Sequence, residues 1–198
     1  MTSPKRPVGG MVDIVHAALD GGVSLVQFRD KGQYTAVERE EACRILIGLC
    51  HDRNVPLIVN DDPQLARRVG ADGVHLGRED PSPRIARALL GPDALVGVTV
   101  YGKAGEEASA EVAGADYLGI GPFFPSPTKP EEPEMPLHVL DAVVHRAKLP
   151  VFAIGGIDAT RAAQLARHGV AGVAVVSAIM DAEDPERATQ LIRQAFLR

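Results

Sequence analysis

Residues 70–77 read GADGVHLG and residues 114–121 read GADYLGIG. In each stretch a glycine suited to a helix C-terminus leads into a short apolar run. Two others echo them, GGVSLVQFR at 21–29 and GVAGVAVVS at 169–177. The leading glycines, Gly21, Gly70, Gly114 and Gly169, stand 49, 44 and 55 residues apart, which leaves room for two strand-plus-helix units in each interval. A second apolar run does sit inside each interval: PLIVND (56–61), ALVGVTV (94–100) and LPVFAIGG (149–156). Helical patterns such as DPQLARRV, GEEASAEVA and DATRAAQLARHG separate the runs. Strand and helix therefore alternate along the chain, and the continuous β-branched runs suit strands covered on both faces. The pattern predicts a parallel α/β sheet.

Seven strands are expected, starting near Val23, Leu57, Gly73, Leu95, Tyr117, Val151 and Gly172. A (β/α)8 TIM barrel needs eight. Each later glycine-led strand is preceded by a helix and, before it, another strand; the first is not. Upstream of the helix near Met11 to Leu19 lies only MTSPKRPVGG, whose prolines and glycines do not make an inner strand. The expected fold is thus a TIM barrel lacking its first strand, with 1–10 a flexible N-terminus and 11–198 a single barrel domain. Either the native chain starts further upstream, or the barrel is open, or another subunit of a homo-oligomer fills the gap. An open doubly wound sheet is the alternative fold, but the Gly-rich fingerprint usual after its first strand is absent.

Composition narrows the function. With 45% hydrophobic residues, 198 residues can bury a sizeable core. The 21 Lys plus Arg against 26 Asp plus Glu leave a net charge of -5, which argues against general nucleic-acid or anionic-membrane binding, so any anion site must be local. Cys43 and Cys50 lack zinc-ligand spacing and read as buried thiols on one helix face. The N-terminus has no signal-peptide core, and no run approaches the roughly 20 apolar residues of a membrane span. A cytoplasmic protein is expected.

In a barrel of this kind chemistry sits at the C-terminal strand ends. Gln27, Arg29 and Lys31 follow the first run and alternate, so on an extended segment they share a face: a phosphate or pyrophosphate contact, or a solvated charge cluster. Asn60, Asp61 and Asp62 follow the second. Asp61 and Asp80, at neighbouring strand ends, suit Mg²⁺, which takes one or two carboxylates plus substrate phosphates; equally, Asp61 or Asp62 can cap DPQLARRV, and Asp80 the helix PSPRIARALL. His75 reads as a hydrogen-bonded scaffold residue. Thr99 ends the fourth run. After the fifth comes GPFFPSPTKP (121–130), whose four prolines stiffen an extended loop presenting Ser126, Thr128 and Lys129, either a turn or an anion clamp. Gly155 and Gly156, followed by a helix, and Ser177 match the phosphate site common after strands seven and eight of TIM barrels, although a tight turn alone would also use Gly-Gly. Two anion sites at one mouth suggest a reaction joining two phosphorylated molecules.

Together these residues resemble the thiamine-phosphate synthase family, from about Met11 to the C-terminus. The resemblance rests on VQFRDK (26–31), VNDD (59–62), GADGVHLGRED (70–80), GADYLGIGPFFPSPTK (114–129), AIGGI (153–157) and GVAVVSAI (172–179). It implies a transferase of thiamine biosynthesis that joins hydroxymethylpyrimidine pyrophosphate to hydroxyethylthiazole phosphate and releases pyrophosphate. It further implies that Gln27 bonds the pyrimidine, that Arg29, Lys31, Asn60 and Lys129 hold its pyrophosphate with Thr99 in the same catalytic set, that Asp61 and Asp80 bind Mg²⁺, and that Ser126, Thr128, Gly156 and Ser177 hold the thiazole phosphate. The chain departs from the family pattern at Ser126, where Thr is usual, and at Thr99, where Ser is typical. It also lacks the first strand that lines the family's pyrimidine pocket. The sister thiazole tautomerases share the barrel but have lost much of the pyrophosphate set, which is present here. A non-catalytic phosphate-binding barrel is the alternative from another class.

Overall fold

The computed structural model describes residues 1–3, 7–126 and 133–197. Seven parallel strands are seen among them: β1 (Val26–Phe28), β2 (Leu57–Asn60), β3 (Gly73–Leu76), β4 (Leu95–Val100), β5 (Tyr117–Ile120), β6 (Val151–Ile154) and β7 (Gly172–Ala174). They are hydrogen-bonded in chain order, β1 through β7. The helices are α1 (Val8–Asp20), α2 (Ala36–His51), α3 (Pro63–Val69), α4 (Pro83–Leu90), α5 (Glu106–Val112), α6 (Leu137–Arg146), α7 (Ala159–Ala166), α8 (Ser177–Met180) and α9 (Pro185–Gln194). This is the expected α/β TIM-like architecture with seven strands, a curled sheet inside a layer of helices.

Local chemistry sets the boundaries. Gly70 ends α3 in left-handed backbone, φ 72°, and its N–H returns to Ala66 O. A capping box between Thr35 and Glu38 starts α2. The first strand begins later than expected: the N–H of Val23 still donates to Ala18 O at the end of α1, and only at Val26 does the backbone turn to Pro56 O of the neighbouring strand. The expected thiols lie on one buried face of α2, Cys43 and Cys50 both fully covered.

The pleat sorts the strand residues into two sets. Val26, Phe28, Leu57 and Val59 pack outward with Leu46 of α2 and Leu65 of α3, while Leu118, Ile120, Val151 and Ala153 pack with Leu140 and Leu165 of α6 and α7. The intervening positions turn inward. Register aligns Gln27 with Ile58, Asn60 with His75, His75 with Gly97, Gly97 with Tyr117 and Thr99 with Gly119, so polar side chains collect inside the sheet.

Between β7 and β1 lie Met1–Ser3. The Met1 amine donates to Val175 O at 3.1 Å, the Thr2 N–H to Gln27 O at 2.8 Å, and the Arg29 N–H to Thr2 Oγ1 at 2.8 Å. The sequence reading set residues 1–10 apart as a flexible arm, yet Thr2 is 1% exposed. The edges of an unclosed barrel carry backbone donors and acceptors that need partners, and these residues supply some. Among the described residues, no helix is long and apolar enough to cross a membrane.

Candidate active site

One half of the site is built where β1, β2 and β3 end. β1 stops at Phe28, so the alternation expected of Gln27, Arg29 and Lys31 does not reach Lys31. Lys31 instead enters through left-handed backbone, φ 50°, and places Nζ 3.0 Å from Asp61 Oδ2. Asp61 is left-handed too, φ 65°, with its N–H tied to His75 O at 2.8 Å. Backbone of this kind is uncommon outside glycine and collects at functional sites. Asp62 takes the capping role, accepting from the Leu65 N–H at 2.8 Å with Pro63 in the first turn of α3, and so leaves Asp61 to the site. Arg39 of α2 braces the turn: its Nη2 is 3.4 Å from Asp62 Oδ2, and its Nε is 3.2 Å from Asp30 Oδ2, an ion pair out of line for a hydrogen bond. Arg29 itself is buried.

Asp80 does not cap α4; Ser82 does. The Asp80 carboxylate turns back to accept from the Gly77 N–H at 2.6 Å and meets Asp61. Burial pushes the Asp80 carboxyl above its ordinary value, the Gly77 N–H opposes that, and the hydrogen bond and charge of Asp61 push it up again. Two facing carboxylates are relieved by a proton or a cation, and hard oxygens of this number suit Mg²⁺, which completes its shell with water and phosphate. Among the described residues no group of three or more His, Cys, Asp or Glu converges. A cleft of about 380 Å³ opens here, with Lys31, Asn60, Asp61 and Gln64 in its wall.

Deeper in the barrel, Gln27 is 7% exposed and its carboxamide oxygen has no hydrogen-bond partner among the described residues. A buried acceptor left open costs about 1–3 kcal/mol, and a donor brought to this oxygen would recover it. On β3 His75 joins two strands: Nε2 is 2.8 Å from Thr99 Oγ1 and Nδ1 is 2.9 Å from Tyr117 Oη. The expected scaffold role of His75 thus has specific partners. Sequence reasoning missed Tyr117. Its one signal was an aromatic in a strand otherwise made of Leu, Gly and Ile, two residues short of Gly119.

The other half lies after β5, β6 and β7. Gly155 and Gly156 hold φ of 91° and 64°. A Cβ at Gly156 would collide with the Pro125 carbonyl oxygen and lie 2.6 Å from that of Phe124, so the β6 turn and the prolyl loop lie backbone against backbone. Arg161 of α7 fastens the two: its Nη1 donates to Gly156 O at 2.5 Å, and its guanidinium carbon lies 4.8 Å from the centre of the Phe124 ring. Arg161 was also not foreseen. Ser177 opens α8, and Ser126 ends the described part of the loop. Thr128 and Lys129 lie outside the described residues.

The profile of the thiamine monophosphate synthase family matches residues 2–179. The chain belongs to that family. Thiamine monophosphate synthase relatives include the thiamine-phosphate synthase of Thiobacillus denitrificans, 47% identical over 182 residues that make up 92% of this chain and 86% of the relative. That of Nitrosococcus oceani is 40% identical over 193 residues, 98% of this chain and 87% of the relative. Among solved structures, thiamine phosphate pyrophosphorylase from Pyrococcus furiosus superposes with a TM-score of 0.86 at 35% identity, covering 98% of this chain and 93% of that one. A 3-hexulose-6-phosphate synthase from Salmonella typhimurium, at 18% identity and a TM-score of 0.76 over 98% of this chain and 96% of that one, shares the fold. Lys31, Asp61, Asp80, Gly156 and Ser177 of the quoted motifs follow the C-terminal ends of their strands.

Proposed function

We propose that the chain catalyses the thiamine-phosphate synthase reaction. In it, the bond between the pyrimidine methylene carbon and the pyrophosphate oxygen breaks, and its electron pair leaves with pyrophosphate. The thiazole nitrogen then gives its lone pair to the pyrimidine-methyl cation, forming the new carbon–nitrogen bond of thiamine phosphate. The observation that carries this reading is the Gln27 carboxamide oxygen, open among the described residues, on the strand that leads to Lys31, whose Nζ meets Asp61 beside Asp80.

Each group then has a task set by its chemistry. Gln27 accepts from the pyrimidine. Arg29, Lys31, Asn60 and Lys129 hold the pyrophosphate, and the cations offset negative charge that grows on the leaving oxygen. Asp61 and Asp80 hold Mg²⁺, which when bound supplies further charge neutralisation at the pyrophosphate. Ser126, Thr128, Gly156 and Ser177 hold the thiazole phosphate, so that its nitrogen waits beside the reacting carbon and outcompetes water. Little proton transfer is needed, because the leaving pyrophosphate carries its own electron pair and the thiazole nitrogen attacks through a lone pair. A cytoplasmic location goes with this reading, because both substrates are charged phosphate esters that do not cross a bilayer unaided.

The test is an assay of the purified protein with both substrates and Mg²⁺, following thiamine phosphate and pyrophosphate, with an EDTA control. Metal-dependent formation of both products is expected. Thermal stabilisation by thiazole phosphate with no product under any metal condition would replace the synthase reading with that of a phosphate-binding barrel.

A further inference from the structure

Inside the barrel, Tyr117 of β5 reaches across β4 to His75 of β3, and His75 reaches back to Thr99 of β4. The two imidazole nitrogens are both engaged, one by each hydroxyl. Space for this crossing is made by glycine: a Cβ at Gly97 would collide with the Tyr117 ring and lie 2.5 Å from His75 Nδ1, and one at Gly119 would lie 3.2 Å from His75 Cε1. Phe152 of β6 closes the far side, edge-on to Tyr117 with ring centres 5.5 Å apart. The three polar groups are therefore fixed by the ladder of β3, β4 and β5.

Each hydroxyl meets one nitrogen of a neutral imidazole, so one of the two donates to the ring and the other accepts from it. A phenol carries one proton and, among the described residues, the Tyr117 hydroxyl meets only His75 Nδ1. If Nδ1 carried a hydrogen, the phenol hydrogen would be left without that acceptor. In the tautomer that the relay below requires, the Tyr117 hydroxyl donates to Nδ1 and the imidazole hydrogen sits on Nε2. Burial pushes the Tyr117 hydroxyl upward, so it keeps its proton. Nε2–H then donates to Thr99 Oγ1, which leaves the Thr99 hydrogen uncommitted to His75.

We propose that Tyr117 and His75 are positioning residues for the synthase reaction: they hold the Thr99 oxygen as an acceptor from His75 and so aim the Thr99 proton at an acceptor oxygen of the bound pyrophosphate substrate. The part of this that concerns substrate rests on the synthase reading above. The relay delivers a neutral donor, not a proton, to an oxygen that gains charge as the carbon–oxygen bond breaks. Neither Tyr117 nor His75 touches the reacting atoms.

Two measurements test it. Long-range ¹H–¹⁵N spectra of the ¹⁵N-labelled protein should show His75 as the Nε2–H tautomer, and Tyr117→Phe, which keeps the ring, should abolish that preference. An Nδ1–H or doubly protonated His75 in the wild type overturns the relay, whether or not the protein turns over. For catalysis, Tyr117→Phe should lower kcat about tenfold, as loss of one oriented hydrogen bond predicts, with KM for the pyrimidine substrate little changed. Thr99→Ser should keep most of the rate. Thr99→Ala should lose more, and adding Tyr117→Phe to it should cost nothing further, because the target of the relay is gone. Additive losses would overturn the coupling. A wild type with the Nε2–H tautomer and no turnover would instead overturn the synthase reading.

Discussion

Lys31 Nζ and Asp61 Oδ2 stand 3.0 Å apart, and both residues hold left-handed backbone to meet there. Their side chains remain 48% and 35% exposed, so the pair contributes at most about 1 kcal/mol to folding. A strained pair that stabilises so little fits the pyrophosphate-site role proposed above for Lys31 and Asp61. Lys31→Ala and Asp61→Asn, the latter chosen because Asn tolerates left-handed backbone, should melt within a few degrees of the parent. Their rates of thiamine phosphate formation should fall by about 10²–10³ or more, the usual loss on removing a group that stabilises developing charge. Near-parental rates at saturating Mg²⁺ would remove both residues from the pyrophosphate site.

Gly97 is a packing residue of unusual stringency. Its backbone is pinned between β3 and β5, so a methyl group there has to displace the Tyr117 ring. Gly97→Ala should cost about 1–3 kcal/mol by overpacking, which in a chain of this size lowers Tm by about 3–10 °C. Gly119→Ala has its tightest contact at His75 Cε1, 3.2 Å away, and should cost less. Equal melting temperatures for the two variants would show that the barrel interior is looser than the structure has it.

How far the sequence discloses this protein depends on whether a feature is local. Leu57, Gly73, Leu95, Tyr117, Val151 and Gly172 were all expected as strand starts, and each is one, because a capped helix end followed by β-branched residues is a signal contained in a few residues. Val23 was not one, because the end of α1 captures its N–H. The duty of the paired aspartates was readable as a division of labour, one to cap and one to the site, but which was which depended on Pro63 opening α3 behind Asp62. Lys31 reaches the site by a turn that alternation cannot predict. Tyr117 and Arg161 stayed hidden because their roles come from Gly97 and Phe124, residues far enough away in sequence that only the fold brings them together.

Cys43 and Cys50 are buried in α2, and burial pushes both thiols up to about 12. A thiol with a raised value is ionised only when pH approaches it, so at pH 8 about one in 10⁴ is thiolate, and it is the thiolate that reacts. The folded protein should therefore react with a disulfide-exchange reagent at pH 8 far more slowly than the denatured protein, which should take up two equivalents promptly. Fast labelling of the folded protein would mean that α2 opens readily from the barrel.

Arg161 should separate the two halves of the site. It holds the carbonyl of Gly156 and stacks on Phe124, so it fixes the spacing between the β6 turn and the prolyl loop, yet it belongs to neither the Lys31 nor the Asp61 neighbourhood. A hydrogen bond from a charged donor contributes about 1.5–3 kcal/mol, and an exposed cation–π contact about 0.5–1 kcal/mol. Arg161→Ala releases both and lets the turn drift from the loop. The expected result is a rise of about tenfold or more in KM for the thiazole phosphate, with KM for the pyrimidine pyrophosphate held within about twofold. Arg161→Lys keeps the charge but cannot reproduce the planar stack, so it should recover only part of the loss. Steady-state kinetics with each substrate varied in turn decides it: a parallel rise in both KM values would show that Arg161 supports the barrel as a whole, and no rise in either would detach the clip from the phosphate site.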